Sequence, residues 1–327
     1  MSARIVTVTP NPSFDRTIDL AGELQRGAVQ RAVATTAEPG GKGVNVSRAI
    51  ARSGGDTLAV LPGDPADPVI AALADRGIPT ATLPIGAPLR SNVTITEPSG
   101  TTTKLNEPGP SLAGRQDAFV DLIVRAAAGA RWVVLAGSLP PGLDDSTLAL
   151  IVAALRAQPN PPRIAVDSSG EPFLAVLRAG LPIDLIKPNA EELAEVVGGD
   201  ADAYEEDPTL AAAAASRLVA DGVGAVLLTL GGAGAVLVTA DGAWMAAAPR
   251  IVARSTVGAG DSALAGYLLA ESSAAGPERC LAQAVASGSA AAALPGSLVP
   301  ALDQTAPDAI AVVRLAPSVA SVPHPIP

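Results

Sequence analysis

The run Trp132-Val133-Val134-Leu135-Ala136-Gly137-Ser138-Leu139-Pro140 decides the fold class. Five consecutive apolar residues carry no alternation, so both faces of this segment must be covered, as in a parallel strand between two helical layers. Glycine and proline then end the strand in a tight loop. The same unit recurs downstream: strands Arg163–Asp167, Ile183–Lys187 and Ala225–Thr229 follow helices at 145–157, 171–179, 189–197 and 208–221, and a helix at 111–129 precedes Trp132. Strand and helix alternation of this kind predicts an α/β protein, a three-layer doubly wound and mostly parallel sheet. Working back to the N-terminus, Ile5–Val8 reads as a buried strand stopped by Pro10 and Pro12, and 11–16 as a strand-end loop. Thr57–Leu61 is a strand and Pro68–Arg76 a helix. Short alternating runs at 17–37 and 89–107 predict exposed strands of a small sheet standing off the body. Towards the C-terminus, helices are expected at 261–271, 278–293 and 303–313. The domain therefore spans 1–316, with a disordered Pro-rich tail at 317–327.

Composition removes several function classes. The 327 residues carry a net charge of −10 with no basic run, which leaves nucleic-acid backbone binding without electrostatic support. No stretch reaches 18 uninterrupted apolar residues and the first residues lack a secretory apolar region, so neither export nor a membrane span is expected. Cys280 is the single cysteine, which excludes an internal disulfide and favours a reducing cytoplasm. The single histidine, His324, lies in the Pro-rich tail, so histidine-based triads and metal sites are set aside and a carboxylate becomes the leading general base. Only Lys42, Lys104 and Lys187 among 22 basic residues are lysines, three positions suited to a compact ammonium.

Four glycine- or proline-marked loops follow strands: 137–142, 187–193, 229–235 and 255–262. In doubly wound sheets, ligands bind beyond the carboxyl ends of strands. The last loop, Ser255-Thr256-Val257-Gly258-Ala259-Gly260-Asp261-Ser262, opens a helix, so its glycines and unpaired N–H groups form an anion nest beside a carboxylate. Helix capping is the bland reading of Asp261. No Walker A motif is present, because Gly43 follows Lys42. Gly258 to Ala263 matches the relaxed dinucleotide pattern, but far from the first βα unit and without an acidic strand end about 20 residues on.

Thr9-Pro10-Asn11-Pro12-Ser13-Phe14-Asp15, Gly40-Gly41-Lys42-Gly43-Val44-Asn45-Val46, Gly137-Ser138-Leu139-Pro140, Lys187-Pro188-Asn189-Ala190-Glu191-Glu192-Leu193 and the 255–262 loop together resemble the PfkB carbohydrate kinase family, in its order and over nearly the whole chain. The resemblance implies a ribokinase-like domain with a small β-sheet lid, ATP and Mg²⁺, and a sugar phosphate as acceptor. By motif, Asp261 resembles the catalytic base, with Gly258, Ala259 and Gly260 as the anion hole. Asn189 and Glu192 resemble the pair that organises Mg²⁺ through water, and Lys187 a phosphate contact. Thr229, Gly231, Gly232 and Gly234 match the nucleotide loop, with Ser287 and Gly288 beside the adenine. On the acceptor side the resemblance places Asp15, Gly40, Gly41, Lys42, Asn45, Arg90, Asn92, Lys104 and Ser138. Arg16 and Arg48 are further candidate phosphate contacts, with helix-surface charge the favoured reading of Arg48.

Lys42 and the run from Thr103 to Gly109 resemble the 1-phosphofructokinase and tagatose-6-phosphate kinase branch. The implied reaction is phosphorylation of fructose 1-phosphate to fructose 1,6-bisphosphate. Tagatose 6-phosphate and fructose 6-phosphate are the alternative acceptors, and a non-catalytic nucleotide or sugar-phosphate sensor is the alternative of a different class. The family's habit of pairing lids implies a homodimer.

Overall fold

The computed structural model describes residues 3–316; the Pro-rich tail and His324 lie outside them. Strand β1 (Ile5–Val8) leads into β2 (Ser13–Leu20) and β3 (Ala32–Gly40), then α1 (Lys42–Arg52) and β4 (Thr57–Pro62). Helix α2 (Pro68–Asp75), β5 (Thr80–Leu83), β6 (Arg90–Thr96) and β7 (Thr102–Asn106) follow. The alternating region contains α3 (Gln116–Ala126), β8 (Trp132–Ala136), α4 (Thr147–Arg156), β9 (Arg163–Asp167), α5 (Gly170–Arg178) and β10 (Leu185–Ile186). Next come α6 (Ala190–Val197), α7 (Ala201–Glu206), α8 (Pro208–Ala220), β11 (Ala225–Thr229), β12 (Gly234–Thr239) and β13 (Gly242–Ala247). The chain closes with α9 (Ala259–Ser272), α10 (Pro277–Ala292) and β14 (Val312–Arg314).

Ten strands form the large sheet in the order β14-β13-β12-β11-β10-β9-β8-β1-β4-β5, parallel from β11 to β5. The apolar runs explain its two covered faces. Val133 and Leu135 of β8 pack with Phe119 and Ile123 of α3 and Ile151 of α4, whereas Trp132 and Val134 pack on the opposite side with Ile50 of α1, Leu264 of α9 and Leu281 of α10. Burying each such side chain contributes about 1.5–3 kcal/mol, which fixes the register of every strand.

The second sheet, β3-β2-β6-β7, stands on the carboxyl-end side of β1. It begins earlier than the sequence suggested: Ser13 to Arg16, read as loop, already pair with both β3 and β6. Two further corrections have local causes. Helix α3 starts only at Gln116, because Gly114 turns with φ +73°. The helix expected at 303–313 is replaced by two 3₁₀ turns, Leu302–Gln304 and Pro307–Ala309, followed by β14. Pro307 has no N–H to continue a helix and starts the second turn instead. Strands β12, β13 and β14 extend the sheet antiparallel. The tight approach of β12 to β13 requires Gly234 at φ +117°, since a Cβ there would overlap the carbonyl oxygen of Ala246.

Candidate active site

Helix α9 is held at both ends. At its C-terminal end Glu271 accepts from Arg131 at 2.9 Å and from the Trp132 indole at 2.8 Å, and also pairs with Arg163, anchoring the helix to the starts of β8 and β9. At its N-terminal end Gly258 takes the left-handed conformation at φ 76°, and no side chain caps the helix. Ala259 donates a long 3.3 Å bond to Thr256. The N–H groups of Gly260 and Asp261 lie in the first turn, where a helix has no carbonyl to offer them. A Cβ on Gly260 would come within 3.3 Å of Lys187 Nζ, so the ammonium stands directly against this turn.

Asp261 is only 7% exposed, and its Oδ2 accepts from Asn45 Nδ2 at 2.9 Å. Burial and the negative charge of Asp167 push its carboxyl up to about 6; the Asn45 hydrogen bond, Lys187 and Lys42 oppose them. At neutral pH it is still mostly ionised and sits near the working pH, the condition for a general base.

Asp167, the last residue of β9, was not singled out by the sequence analysis. It is completely buried between two ammonium groups: Lys42 Nζ lies 2.7 Å from Oδ1 and Lys187 Nζ 3.1 Å from Oδ2. Burial alone would raise its carboxyl, but Lys187 and Lys42 outweigh burial and hold it below the usual range. The one available signal was a carboxylate ending an otherwise apolar strand. Lys42 also reaches Glu192 Oε1 at 3.4 Å. Burial works against its charge, yet Asp167 and Glu192 raise the ammonium above its ordinary value. The structure thus turns Lys42 from the acceptor side towards the Asn189 loop.

Asn189 and Glu192 form a capping box at the start of α6: Asn189 Oδ1 accepts from the Glu192 N–H at 2.7 Å, and Glu192 Oε2 accepts from the Asn189 N–H at 2.9 Å. The box fixes both side chains, with Glu192 in reach of Lys42. Thr229 lies next to them through a parallel bridge to Asn189, and Gly231 and Gly232 are exposed in the turn that follows. Ser287 and Gly288 are placed differently from expectation. Ser287 is buried against Gly266 and its hydroxyl accepts from Gln283 at 3.0 Å, while Gly288 packs against Ala259 and Ala263. Both serve the contact between α9 and α10.

On the lid side, Asp15 Oδ1 accepts from Ser13 at 2.7 Å and from Asn92 Nδ2 at 3.0 Å. The Asp15 carboxylate lies so close over Gly40 that a Cβ there would overlap it. Gly41, at φ 106°, leaves the same kind of room for Thr9. Arg90 donates to the carbonyls of Glu107 at 3.1 Å and Asn11 at 3.0 Å. On this side four buried side-chain atoms lack a partner: Arg90 Nε and Asn92 Oδ1 near Asp15, Thr9 Oγ1 against Gly43 and Asn11 Oδ1 against Gly109. Lys104 on β7 and Ser138 after β8 are exposed and stand outside this network. Arg48, read as surface charge, is instead 4% exposed and bonds Asn45 Oδ1 at 3.1 Å.

Fold and site together define a small-molecule kinase of ribokinase-like architecture. The chain belongs to the pfkB family of carbohydrate kinases, whose model matches residues 8–304. Among curated relatives it is 34% identical to the ATP-dependent 6-phosphofructokinase isozyme 2 of Escherichia coli, over 92% of this chain and 96% of that one. It is also 34% identical to the 1-phosphofructokinase of Xanthomonas campestris, over 83% of this chain and 85% of that one. The crystal structure of the Escherichia coli phosphofructokinase-2 with potassium superposes with a TM-score of 0.84 at 32% identity, covering 92% of this chain and 96% of that one. Ribokinase from Thermotoga maritima, at 19% identity, shares the fold with a TM-score of 0.71, covering 92% of this chain and 97% of that one.

Proposed function

We propose that this protein transfers the γ-phosphoryl group of ATP to the free primary hydroxyl of fructose 1-phosphate, giving fructose 1,6-bisphosphate. The observation that carries the reading is Asp261, a buried carboxylate held by Asn45 at the mouth of an uncapped helix. Asp261 accepts the hydroxyl proton as the new P–O bond forms, and the bond from the γ-phosphorus to the bridging oxygen of ADP breaks. Charge spreading over the transferred group meets the N–H groups of the Gly258 to Gly260 turn and the Lys187 ammonium. The unpartnered Asn92 Oδ1 and Arg90 Nε near Asp15 suit a polyhydroxy ligand, which would satisfy them. For Mg²⁺, the fit rests on hard oxygen donors: Glu192 Oε1 and the Asn189 amide oxygen, fixed at one helix start, suit an ion held mainly by ATP phosphates and reached through water. When bound, that ion neutralises phosphate charge.

The resemblance of the 103–109 run and the identity to the Xanthomonas campestris 1-phosphofructokinase support the 1-phosphate acceptor. Fructose 6-phosphate is the second reading, favoured by the identity to the Escherichia coli 6-phosphofructokinase isozyme. ADP release measured with fructose 1-phosphate, fructose 6-phosphate and tagatose 6-phosphate decides between them: the highest kcat/KM is expected with fructose 1-phosphate, and a higher value with either other sugar transfers the assignment to it. Ligand-dependent melting without any turnover would identify a sensor instead. Among the described residues no helix is long and apolar enough to cross a membrane; we place the enzyme in the cytoplasm as a lid-paired homodimer.

A further inference from the structure

A helix-surface arginine is solvated, but the guanidinium of Arg48 is enclosed by oxygen atoms from three parts of the chain. Nη1 donates to Asn45 Oδ1 at 3.1 Å, to the Pro39 carbonyl at 3.2 Å and to the Ser297 carbonyl at 3.0 Å. Nη2 donates to Glu38 Oε2 at 2.7 Å, an oxygen shared with Arg76. Burying a charge costs several kcal/mol unless partners offset it, so this enclosure needs a role. The donor and acceptor inventory supplies one. A guanidinium can only donate, so the amide atom of Asn45 facing it must be oxygen; an ionised carboxylate can only accept, so the atom facing Asp261 must be nitrogen. Removing Arg48 frees the amide to rotate away from that arrangement.

We infer that Arg48 is a positioning residue: it locks the Asn45 amide with Nδ2 turned to Asp261 and ties that amide to lid strand β3 through Glu38 and Pro39. The inference deepens the proposed kinase reading, in which Asp261 is the base. A lysine would not replace it, since one ammonium cannot span the planar set of acceptors that the fork reaches. Asp261 is faced by Asn45, Lys42 and the Arg48 charge from α1, by Asp167 from β9 and by Lys187 after β10. Of these, Asn45 is the neutral donor whose direction Arg48 sets.

The test is a double-mutant cycle of Arg48→Met and Asn45→Ala, with kcat, both KM values, and the Asp261 titration followed by carboxyl NMR. Losing the Asn45 donation is expected to raise the Asp261 midpoint by about one pH unit in either single variant, and the double variant should rise by less than the sum of the two, the remainder being the Arg48 charge itself. The kcat should fall about 10-fold or more in Arg48→Met with an unchanged KM for ATP. A wild-type midpoint in Arg48→Met, or effects that add in the double variant, overturns the inference. Should thermal melting show Arg48→Met unfolded, Arg48→Lys carries the same cycle with a smaller rise. A wild-type chain that turns over none of the sugar phosphates refutes the kinase reading separately, while the NMR titration still decides the role of Arg48.

Discussion

As the proposed base, Asp261 stands between two demands: it must be ionised to accept a proton, yet buried enough to be a useful base. With its carboxyl pushed up to about 6 by burial and by Asp167, activity requires the deprotonated form. The kcat should therefore be full at neutral pH and above and fall as pH drops through about 6, read from an initial-rate profile at saturating substrates; a flat profile down to pH 5 would assign the limiting proton elsewhere. Asp261→Asn removes the acceptor while keeping the shape, and kcat should drop roughly 10²–10⁴-fold with little change in ATP affinity. Near-normal turnover in that variant would exclude Asp261 as the base. On the lid side, Gly40→Ala places a methyl where the Asp15 carboxylate lies, so the KM for the sugar phosphate should rise about 10-fold or more with the KM for ATP unchanged. Equal KM values in variant and wild type would remove Asp15 from the acceptor site. The same residues show what sequence can and cannot reveal. Asp261 was legible because glycines and a helix start surround it in the chain. Asp167 and Arg48 were not: 125 residues separate Lys42 from Asp167, and Arg48 looks like any polar position on a helix until β3 and the 297 loop close over it.

At the scale of elements, α9 is the part on which the site depends. Its first turn carries the nest and Asp261, its last turn is clamped by Arg131, Trp132 and Arg163, and its side packs on α10 so closely that Gly266 faces Ser287 and the Gln283 carbonyl. A Cβ at Gly266 would stand 2.5 Å from Ser287 Oγ and 2.8 Å from that carbonyl. Gly266→Ala should consequently push the helices apart, costing about 1–3 kcal/mol in chemical denaturation. Because α9 carries Asp261, kcat should fall with stability; an unchanged unfolding midpoint would show that the two helices yield without loss. Most of the sheet was legible, since strands buried on both faces are apolar without a break. The start of β12 was hidden because Gly234 read as part of a ligand loop, whereas it also lets β12 and β13 meet. The helix expected over 303–313 failed for a different reason: Pro307 lacks the donor a helix interior needs.

At the scale of the molecule, the two sheets differ in how they are covered. The large sheet lies between helical layers, while β3 and β7, the outer strands of the lid, are largely exposed, and Val33 at 65%, Leu105 at 58% and Val29 at 100% face solvent in a single chain. A sheet with one uncovered apolar face finds its second layer in another element or another copy. A second copy is the partner that fits the proposed homodimer, and pairing would also brace the strands that carry Asp15, Arg90 and Asn92. The net charge of −10 sets the limit on how that contact can be made, because two such chains repel at long range and apolar burial must exceed the repulsion. Val33→Asp adds a charge to the contact itself. Sedimentation at assay concentration should then show twice the chain mass for wild type and the single-chain mass for the variant. With the lid unbraced, the variant's KM for the sugar phosphate should rise while its KM for ATP stays the same. A wild type that sediments as a single chain would mean that the lid works alone, and that its exposed valines cover no partner lid.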